Sequence, residues 1–450
     1  MKRTITLLLG ALSLAFLNIP SASANLTILD KNGWKFFTTG FVETDAIMDS
    51  TRSLTEVVGN NPIDRPGSFN GDNGRTQFSV RNSRLGFGLL PPAQNGWSTK
   101  GYLEFDLLGY DPAPGSPAGN SESSFFVNPT LRLRHAFLSA DKDGWHFLVG
   151  QTWTLFAWQP DYILTTASLP PVSGTDYERT PQILAEKTIA MGELNAFQAA
   201  LAVNRPVQRD STYPDIQAGA RLMLGGRKAG FTGPYNPAIS AQPMSLGVSG
   251  LVREFEAPVP GAANGSSDNQ VINYPAQAIA IDTMIPILAT SKADDFGNTL
   301  AFSAEFTTGQ GYADEFPGWT GNIAQFAGAA PYPGLNLDSG FGGVFSDGTF
   351  GLIHLQTFNL QLQYHLPKEW RSFSNIGYGQ LYSNNVGDFT SSVNTGKVIY
   401  DRSDVAFINF FHDLTSQIRV AAEYDYFRTH YVDGSLAHDN RVQLSAYFLF

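Results

Sequence analysis

Nine residues of this sequence alternate without interruption: Val442, Leu444, Ala446, Phe448 and Phe450 fall on one side of an extended chain, and Gln443, Ser445 and Tyr447 on the other. Successive side chains of a β-strand point to opposite faces, so one face of this segment is apolar throughout while the other can meet water. A strand whose apolar face runs to a terminal aromatic suits a sheet with lipid on one side and water on the other. That is the wall of a transmembrane β-barrel. The competing reading is a buried edge strand of a soluble sandwich.

The other end of the sequence favours export. Lys2 and Arg3 precede an apolar run from Ile5 to Leu17, and Ala22-Ser23-Ala24 offers the small residues needed for cleavage. Residues 1–24 therefore read as a secretory signal peptide and residues 25–450 as one exported domain. The apolar run, about 13 residues long, is short for a bilayer span, and no later stretch offers 18 uninterrupted apolar residues. Even Ile189 to Val203 is broken by Glu193, Asn195 and Gln198. A helical inner-membrane protein is excluded.

Composition fits a barrel. The net charge of −11 becomes about −13 when Lys2 and Arg3 are removed, which keeps a chain soluble in transit. There is no cysteine, so neither disulfides nor thiol chemistry can operate, and closure of the sheet must hold the fold. Aromatic residues make up 13% of the chain, beside 44 Gly and 26 Pro. Barrels place aromatics in interfacial girdles and Gly and Pro in loops and turns.

Sixteen alternating segments, each bounded by Gly, Pro, Asn, Asp or Ser, mark the strands of an all-β, antiparallel transmembrane barrel: 34–48, 76–90, 97–108, 129–140, 145–153, 183–191, 195–204, 214–224, 243–253, 273–287, 298–308, 350–366, 371–382, 403–411, 415–430 and 438–450. The connections alternate long and short, from 49–75 and 91–96 through to a long 383–402 and a tight turn at His412 to Leu414. Bacterial outer-membrane barrels have long extracellular loops and short periplasmic turns in this order. One departure is 225–242, an overlong stretch where a short turn belongs, which leaves fourteen or eighteen strands open. No fixed-period repeat points to a solenoid or propeller. A sixteen-stranded barrel retains a water-filled channel.

Phe450, with aromatic or apolar residues at alternate positions before it, resembles the C-terminal signature of Gram-negative outer-membrane proteins. The resemblance implies that Phe448 and Phe450 serve as a signal for the barrel-assembly machinery. The run Gln77-Phe78-Ser79-Val80-Arg81-Asn82-Ser83-Arg84-Leu85-Gly86-Phe87 resembles the second strand of Gram-negative general porins, in particular the trimeric DcaP-like porins. Gly40 to Ala46, Leu131 to Ala136 and Gly150 to Trp153 agree in the same order, and Arg179-Thr180-Pro181-Gln182-Ile183 is similar to that family's exit from its constriction loop. The resemblance implies an outer-membrane homotrimer set among lipid and lipopolysaccharide, passing small hydrophilic solutes, dicarboxylates among them. DcaP-like proteins often carry an N-terminal coiled coil; here only about nine residues separate Asn25 from Trp34, so a trimer is expected to rest on the barrel walls.

Period-two alternation assigns charges to the lumen. Leu131, Leu133 and Phe137 facing lipid turn Arg132 and Arg134 inward; Leu103, Phe105 and Leu107 facing lipid turn Lys100, Tyr102, Glu104 and Asp106 inward. By the same rule Glu43 and Asp45 face inward, as do Arg419, Glu423 and Asp425. A charge facing lipid at the midplane costs about 2–4 kcal/mol. The second strand breaks parity: Phe78 and Val80 are even, but Leu85, Phe87 and Leu89 are odd. A β-bulge near Asn82 and Ser83 is predicted, turning both Arg81 and Arg84 inward. The alternative is that this wall lies in a subunit interface, where one arginine pairs.

Arg81, Arg84, Arg132 and Arg134 then form a stripe on neighbouring strands. Nineteen arginines to ten lysines favours the residue whose planar donor fork suits carboxylates and phosphates. The loop Thr154 to Gln182, folded inward as in related porins, is expected to carry Asp161, Asp176 and Glu178 across from it, with Arg179 at its exit. Opposed charges set a transverse field that orients dipolar solutes, and a weak preference for small anions is expected. Internal salt bridging that stiffens the wall is the competing account.

Other functions find less support. His135, His146, His354, His365, His412, His430 and His438 show no metal-ligand spacing, and no acid–base or nucleophile motif marks an enzyme. No cofactor, metal or nucleic-acid partner is expected. An adhesion or binding barrel would use the long 309–349 loop, which can equally cap the entrance or latch onto a neighbour. Phosphate-specific porins depend on a lysine-rich eyelet, whereas Lys100 is the one lysine placed in the upstream wall.

Overall fold

The computed structural model describes residues 26–109, 130–158, 173–207, 211–233, 236–258, 271–292, 295–323, 340–345, 349–389 and 398–450. The expected signal peptide, 1–24, lies outside them. Sixteen antiparallel strands close into one ring: β1 (Trp34–Asp49), β2 (interrupted, Arg75–Ser79 and Arg84–Leu90), β3 (Ser98–Asp106), β4 (Arg132–Lys142), β5 (Trp145–Trp153), β6 (Arg179–Met191), β7 (Asn195–Asn204), β8 (Asp215–Gly233), β9 (Asn236–Pro258), β10 (Val271–Leu288), β11 (Thr299–Gln310), β12 (His354–His365), β13 (Ser372–Ser383), β14 (Tyr400–Asp413), β15 (Ile418–Tyr431) and β16 (Leu436–Leu449). Each pairs with the next, and β16 returns to β1 with Leu449 opposite Phe41. Gly40 and Phe450 exchange two main-chain hydrogen bonds, at 3.0 and 3.1 Å. Closure leaves the ring without an unpaired edge, which substitutes for the disulfides this chain lacks. A short strand, Leu26–Lys31, folds back on the start of β1.

The faces are inverted relative to a soluble protein. Val42 and Met48 are exposed on the outside of β1, whereas Glu43 and Asp45 are fully buried inside. In β15 Ile418, Tyr424 and Tyr426 point outward and Arg419, Glu423 and Asp425 inward. An apolar exterior over a polar interior is what lipid outside and water within select.

The expected bulge in β2 is present. Ser79 pairs with Asp45 and Arg84 with Phe41, so four residues, Val80 to Ser83, face three, Val42 to Thr44. The extra residue reverses parity: Phe78 and Val80 before it and Leu85 and Leu89 after it all face outward. Gly40 sits beside this bulge with φ +148°, where a Cβ would lie 2.2 Å from the Arg84 carbonyl oxygen.

A second bulge was not anticipated. Glu104 pairs with His135 but Phe105 with Leu133, so Arg134 is the extra residue in β4. Beyond it the pattern inverts. Phe137, expected to face lipid, lies opposite the inward Tyr102, and Leu138 takes the outward position at 69% exposure.

The overlong turn at 225–242 is neither an extra pair of wall strands nor a loop. It is the inturned tip of the β8–β9 hairpin. Gly225 to Arg227 bulge out between the pairs Leu224–Met244 and Lys228–Pro243, and the tip beyond folds into the barrel. Thr232 N–H donates to Gln363 Oε1 at 2.7 Å, and Gln363 Nε2 donates back to the Thr232 carbonyl at 3.0 Å. Ala229 and Phe231 pack on Met284 and Ala301. Gln363 is buried on the inner face of β12, while Leu360 in the same strand is exposed outward, which places the tip in the lumen at the short-turn end.

Long loops fill the opposite end. Leu54, Val58 and Ile63 of the β1–β2 loop, Phe156 of the β5–β6 loop, and Tyr312, Phe316 and Trp319 of the β11–β12 loop join one buried cluster with inner-wall residues. Asn60 ties them together, donating from Nδ2 to the Pro317 carbonyl at 3.2 Å and accepting from Gly174 N–H at 2.9 Å. Trp319 meets Tyr400 edge-on at 4.6 Å. The described residues of the 309–349 loop turn inward onto this cluster.

Candidate channel constriction

The β2 bulge turns Arg84 inward where unbroken alternation from Phe78 and Val80 sends it to lipid. In β4 alternation with Leu131 and Leu133 already points Arg132 and Arg134 inward, and the bulge there changes only the residues beyond Arg134. Arg132 and Arg134 are held by carboxylates on β3. Arg132 Nε and Nη2 donate to the two oxygens of Asp106 at 3.0 and 2.6 Å, a two-point contact that fixes the plane of the guanidinium. Arg134, fully buried, bridges Glu104 at 2.6 Å and Asp106 at 3.0 Å. The Tyr102 hydroxyl donates to the other oxygen of Glu104 at 2.8 Å. Lys100 lies over the Tyr102 ring at 4.5 Å.

Arg84 is buried with its guanidinium over Phe41, and its Nη2 donates to Asn82 Oδ1 at 3.3 Å. Arg81 takes a different part. Its Nε and Nη2 donate to the carbonyls of Leu107 and Gly109 at 3.2 and 3.0 Å, and Nη1 reaches Glu56 at 3.5 Å. It braces the start of the β3–β4 loop instead of continuing the stripe.

The inward β5–β6 loop meets the stripe through a residue that sequence reading passed over. Arg134 Nη1 donates to the Tyr177 hydroxyl at 3.2 Å. Arg179 stacks over the rings of Trp153 and Tyr177 at 4.6 and 5.0 Å, and Trp153 and Tyr177 meet edge-on at 5.0 Å. Burial raises the Tyr177 pKa, but the guanidinia of Arg134, Arg179, Arg132 and Arg84 outweigh it and hold the phenol well below its ordinary range.

Asp176 and Glu178, expected to face the arginines, do not. They flank Tyr177 in an extended stretch, so their side chains leave on the other side. Asp176 is fully buried, and the charges acting on it are those of Glu305, Glu178 and Asp282. Burial first, and then these carboxyls, raise its pKa well above the usual range. The side chain that meets the stripe is thus a phenol, and the acidic residues gather behind it. Asp161 lies outside the described residues. Phe448 is exposed on the outer wall, with the Phe450 ring at 6.4 Å.

Besides Tyr177, sequence reading missed Asp282, Glu305, Asp314, Glu315 and Arg253. Arg253 on β9 donates to Asp314 Oδ1 at 2.5 Å and pairs with Asp215 at 2.8 Å. Alternation was enough to find Asp282 and Glu305, since Ile281 and Phe306 beside them face outward. Asp314 and Glu315 lie in a loop, where no periodicity reports direction.

By sequence, no family model and no curated protein matches. By structure, the chain resembles the outer-membrane channel DcaP of Acinetobacter baumannii, with a TM-score of 0.65 at 17% identity over 94% of this chain and 100% of that one. It also resembles the anion-selective porin from Comamonas acidovorans, with a TM-score of 0.53 at 11% identity over 93% and 100% of the two chains. Closed ring, lipid-facing exterior and inward loop together give this chain the β-barrel fold of Gram-negative outer-membrane porins.

Proposed function

We propose that the protein is an outer-membrane channel for passive diffusion of small hydrophilic solutes, with a weak preference for small anions such as dicarboxylates. The cluster of guanidinia around Tyr177 carries the reading, because positive charge that favours a phenolate also attracts a carboxylate at the same point. Arg134 donates to the Tyr177 hydroxyl, Arg179 stacks on its ring, and the charges of Arg132 and Arg84 also act on it. Engagement of Arg132 and Arg134 by Glu104 and Asp106 keeps the preference weak. The C. acidovorans porin of the same fold is anion-selective, which agrees. A homotrimer is part of the proposal, held by barrel walls. Interaction with lipopolysaccharide and delivery by the barrel-assembly machinery through Phe448 and Phe450 belong to it as well.

An adhesin would project its long loops, whereas Phe316 and Trp319 turn inward; an enzyme would need a reactive cluster at the rim, and neither reading is adopted. The test is reversal potential across planar bilayers under a salt gradient. Wild-type protein should form channels with a small anion preference that falls in Arg132→Ala and Arg179→Ala. Arg81→Ala, which loses only a loop brace, should change selectivity little. No channel at all refutes the porin assignment, and unchanged selectivity in both stripe variants refutes the arginine site.

A further inference from the structure

Behind Tyr177 lies a group of carboxylates that the channel reading leaves without a task. Glu178 ends the inward loop beside Asp314 and Glu315 of the β11–β12 loop, and one carboxylate oxygen from each lies within 4.8 Å of the other two. Glu315 is fully buried, and its Oε2 accepts from Thr154 Oγ1 at 3.3 Å. The two loops already touch here, Tyr177 N–H donating to the Glu315 carbonyl at 2.8 Å.

A second observation points to something between them. Asp176 has no exposed surface, and no N–H or hydroxyl among the described residues donates to its carboxylate oxygens; the group beside it is another carboxyl, that of Glu315. Glu178 Oε2 and Asp314 Oδ2 are likewise buried without an N–H or hydroxyl donor, and these two carboxyls also abut each other. Asp282 and Glu305 add to the negative charge, standing directly opposite each other on the inner faces of β10 and β11. Like charges in that register repel. Arg253 offsets part of the cluster through Asp314 and Asp215, which leaves Asp176, Glu178, Glu315 and Glu305 to be balanced. A buried carboxylate stays ionised only beside a positive charge; otherwise it takes up a proton.

We propose that Glu178, Asp314 and Glu315 bind one hard divalent cation of calcium size, with Asp176 beside them supplying further negative charge. The donor set is oxygen only, as such cations require. Two oxygens bound to one Ca2+ at about 2.4 Å stand at most about 4.8 Å apart, the separation within which the three carboxylates lie, so small adjustments bring all three into reach of one ion. Mg2+, with shorter bonds at right angles, demands a tighter cage. The cation clamps the exit of the inward loop to the β11–β12 loop, and so sets where Tyr177 stands against the arginines. Ca2+ outside the cell would thereby stiffen the constriction without entering the solute path.

The test uses the full chain refolded in detergent free of lipopolysaccharide, whose phosphates bind the same ions, and freed of metal with a chelator. Titration calorimetry with Ca2+ should give one site per chain. Terbium should light up through the nearby Tyr177 and Tyr312 and be displaced by Ca2+. Glu178→Gln and Glu315→Gln should each weaken Ca2+ by about tenfold or more, since affinity follows ligand charge. Asp433→Asn, in an exposed pair with Arg65, should bind as wild type. Heat-modifiable mobility checks folding of every variant. Should Glu315→Gln fail to fold, Glu178→Gln decides, because that side chain is only partly buried as a residue. No saturable Ca2+ site in the wild type, or undiminished binding in Glu178→Gln, overturns the proposal and leaves shared protons as the balance. Binding is read directly, so the outcome is independent of whether the channel prefers anions.

Discussion

Arg134 Nη1 stands 3.2 Å from the Tyr177 hydroxyl while its Nε and Nη1 hold Glu104 and Asp106, so one buried guanidinium joins the barrel wall to the inward loop. With burial outweighed by four guanidinia, Tyr177 has a folded pKa below the unfolded value of about 10. Its ionised form therefore contributes stability that is complete above about pH 10 and is lost as pH falls through the lower folded value. Tyrosinate absorbance should show one tyrosine ionising ahead of the rest, and Tyr177→Phe should abolish that phase. Identical titrations of the two proteins would contradict the assignment.

Removing Arg134 leaves Glu104 and Asp106 facing a cavity without it. Arg134→Ala should cost about 3–5 kcal/mol, the usual penalty for breaking a buried ion pair. Arg132→Ala should cost less, because its side chain is 30% exposed and Asp106 keeps Arg134. Urea unfolding in lipid vesicles measures both; equal losses would mean that Arg134 is not the centre of the network.

The bulge at Arg134 makes a prediction opposite to simple alternation. Leu138→Arg should cost about 2–4 kcal/mol by placing a charge in lipid, and Phe137→Arg should cost markedly less. Folding yield into vesicles compares them, and the reverse order would remove the bulge.

Gly40 has no room for a side chain where β1 passes the β2 bulge. Gly40→Ala should lower stability by about 1–3 kcal/mol through backbone strain, with a matching fall in the temperature at which the heat-modifiable form is lost. Gly67→Ala is the comparison: φ is also positive there, but nothing lies within 4 Å of an added Cβ. An equal effect at both sites would show that the carbonyl of Arg84 is not the obstacle.

Replacing residues 228–241 with a tight turn removes the inturned hairpin. Single-channel conductance should rise while ion selectivity stays near wild type, since Thr299 and Gln363 hold the tip in place and the arginines take no part in it. Unchanged conductance would place the tip outside the conducting path.

What could be read in advance follows the physics of alternation. Wherever one face of a strand meets lipid and the other water, polarity reports direction residue by residue, and so the sixteen strands and the β2 bulge were legible. Phe78 and Leu85 on opposite parities betrayed that bulge. In β4 the signal was masked: Phe137 and Leu138 are adjacent and both apolar, so the inversion at Arg134 left no mark. The β8–β9 tip was obscure for a similar reason, because Ala229, Phe231 and Thr232 are buried on lumen walls by tertiary contacts rather than by lipid. Asp176 and Glu178 were misdirected because a loop gives residue types without directions. Tyr177 between them carried no charge to draw notice.

The hairpin tip also changes how the channel is to be thought of as a conductor. In a conducting barrel, an inward loop near one end and a folded tip near the other would act as two resistances in series. Current then responds mainly to whichever is narrower, and relieving one returns only its own share. The two ends also differ in kind, since guanidinia stand at the inward loop, whereas the tip is pinned by the buried amide of Gln363 and the buried hydroxyl of Thr299. In a conducting barrel of this build a charged solute would meet the guanidinia near one end only, so that inward and outward fluxes of charged solutes need not match at equal and opposite voltage.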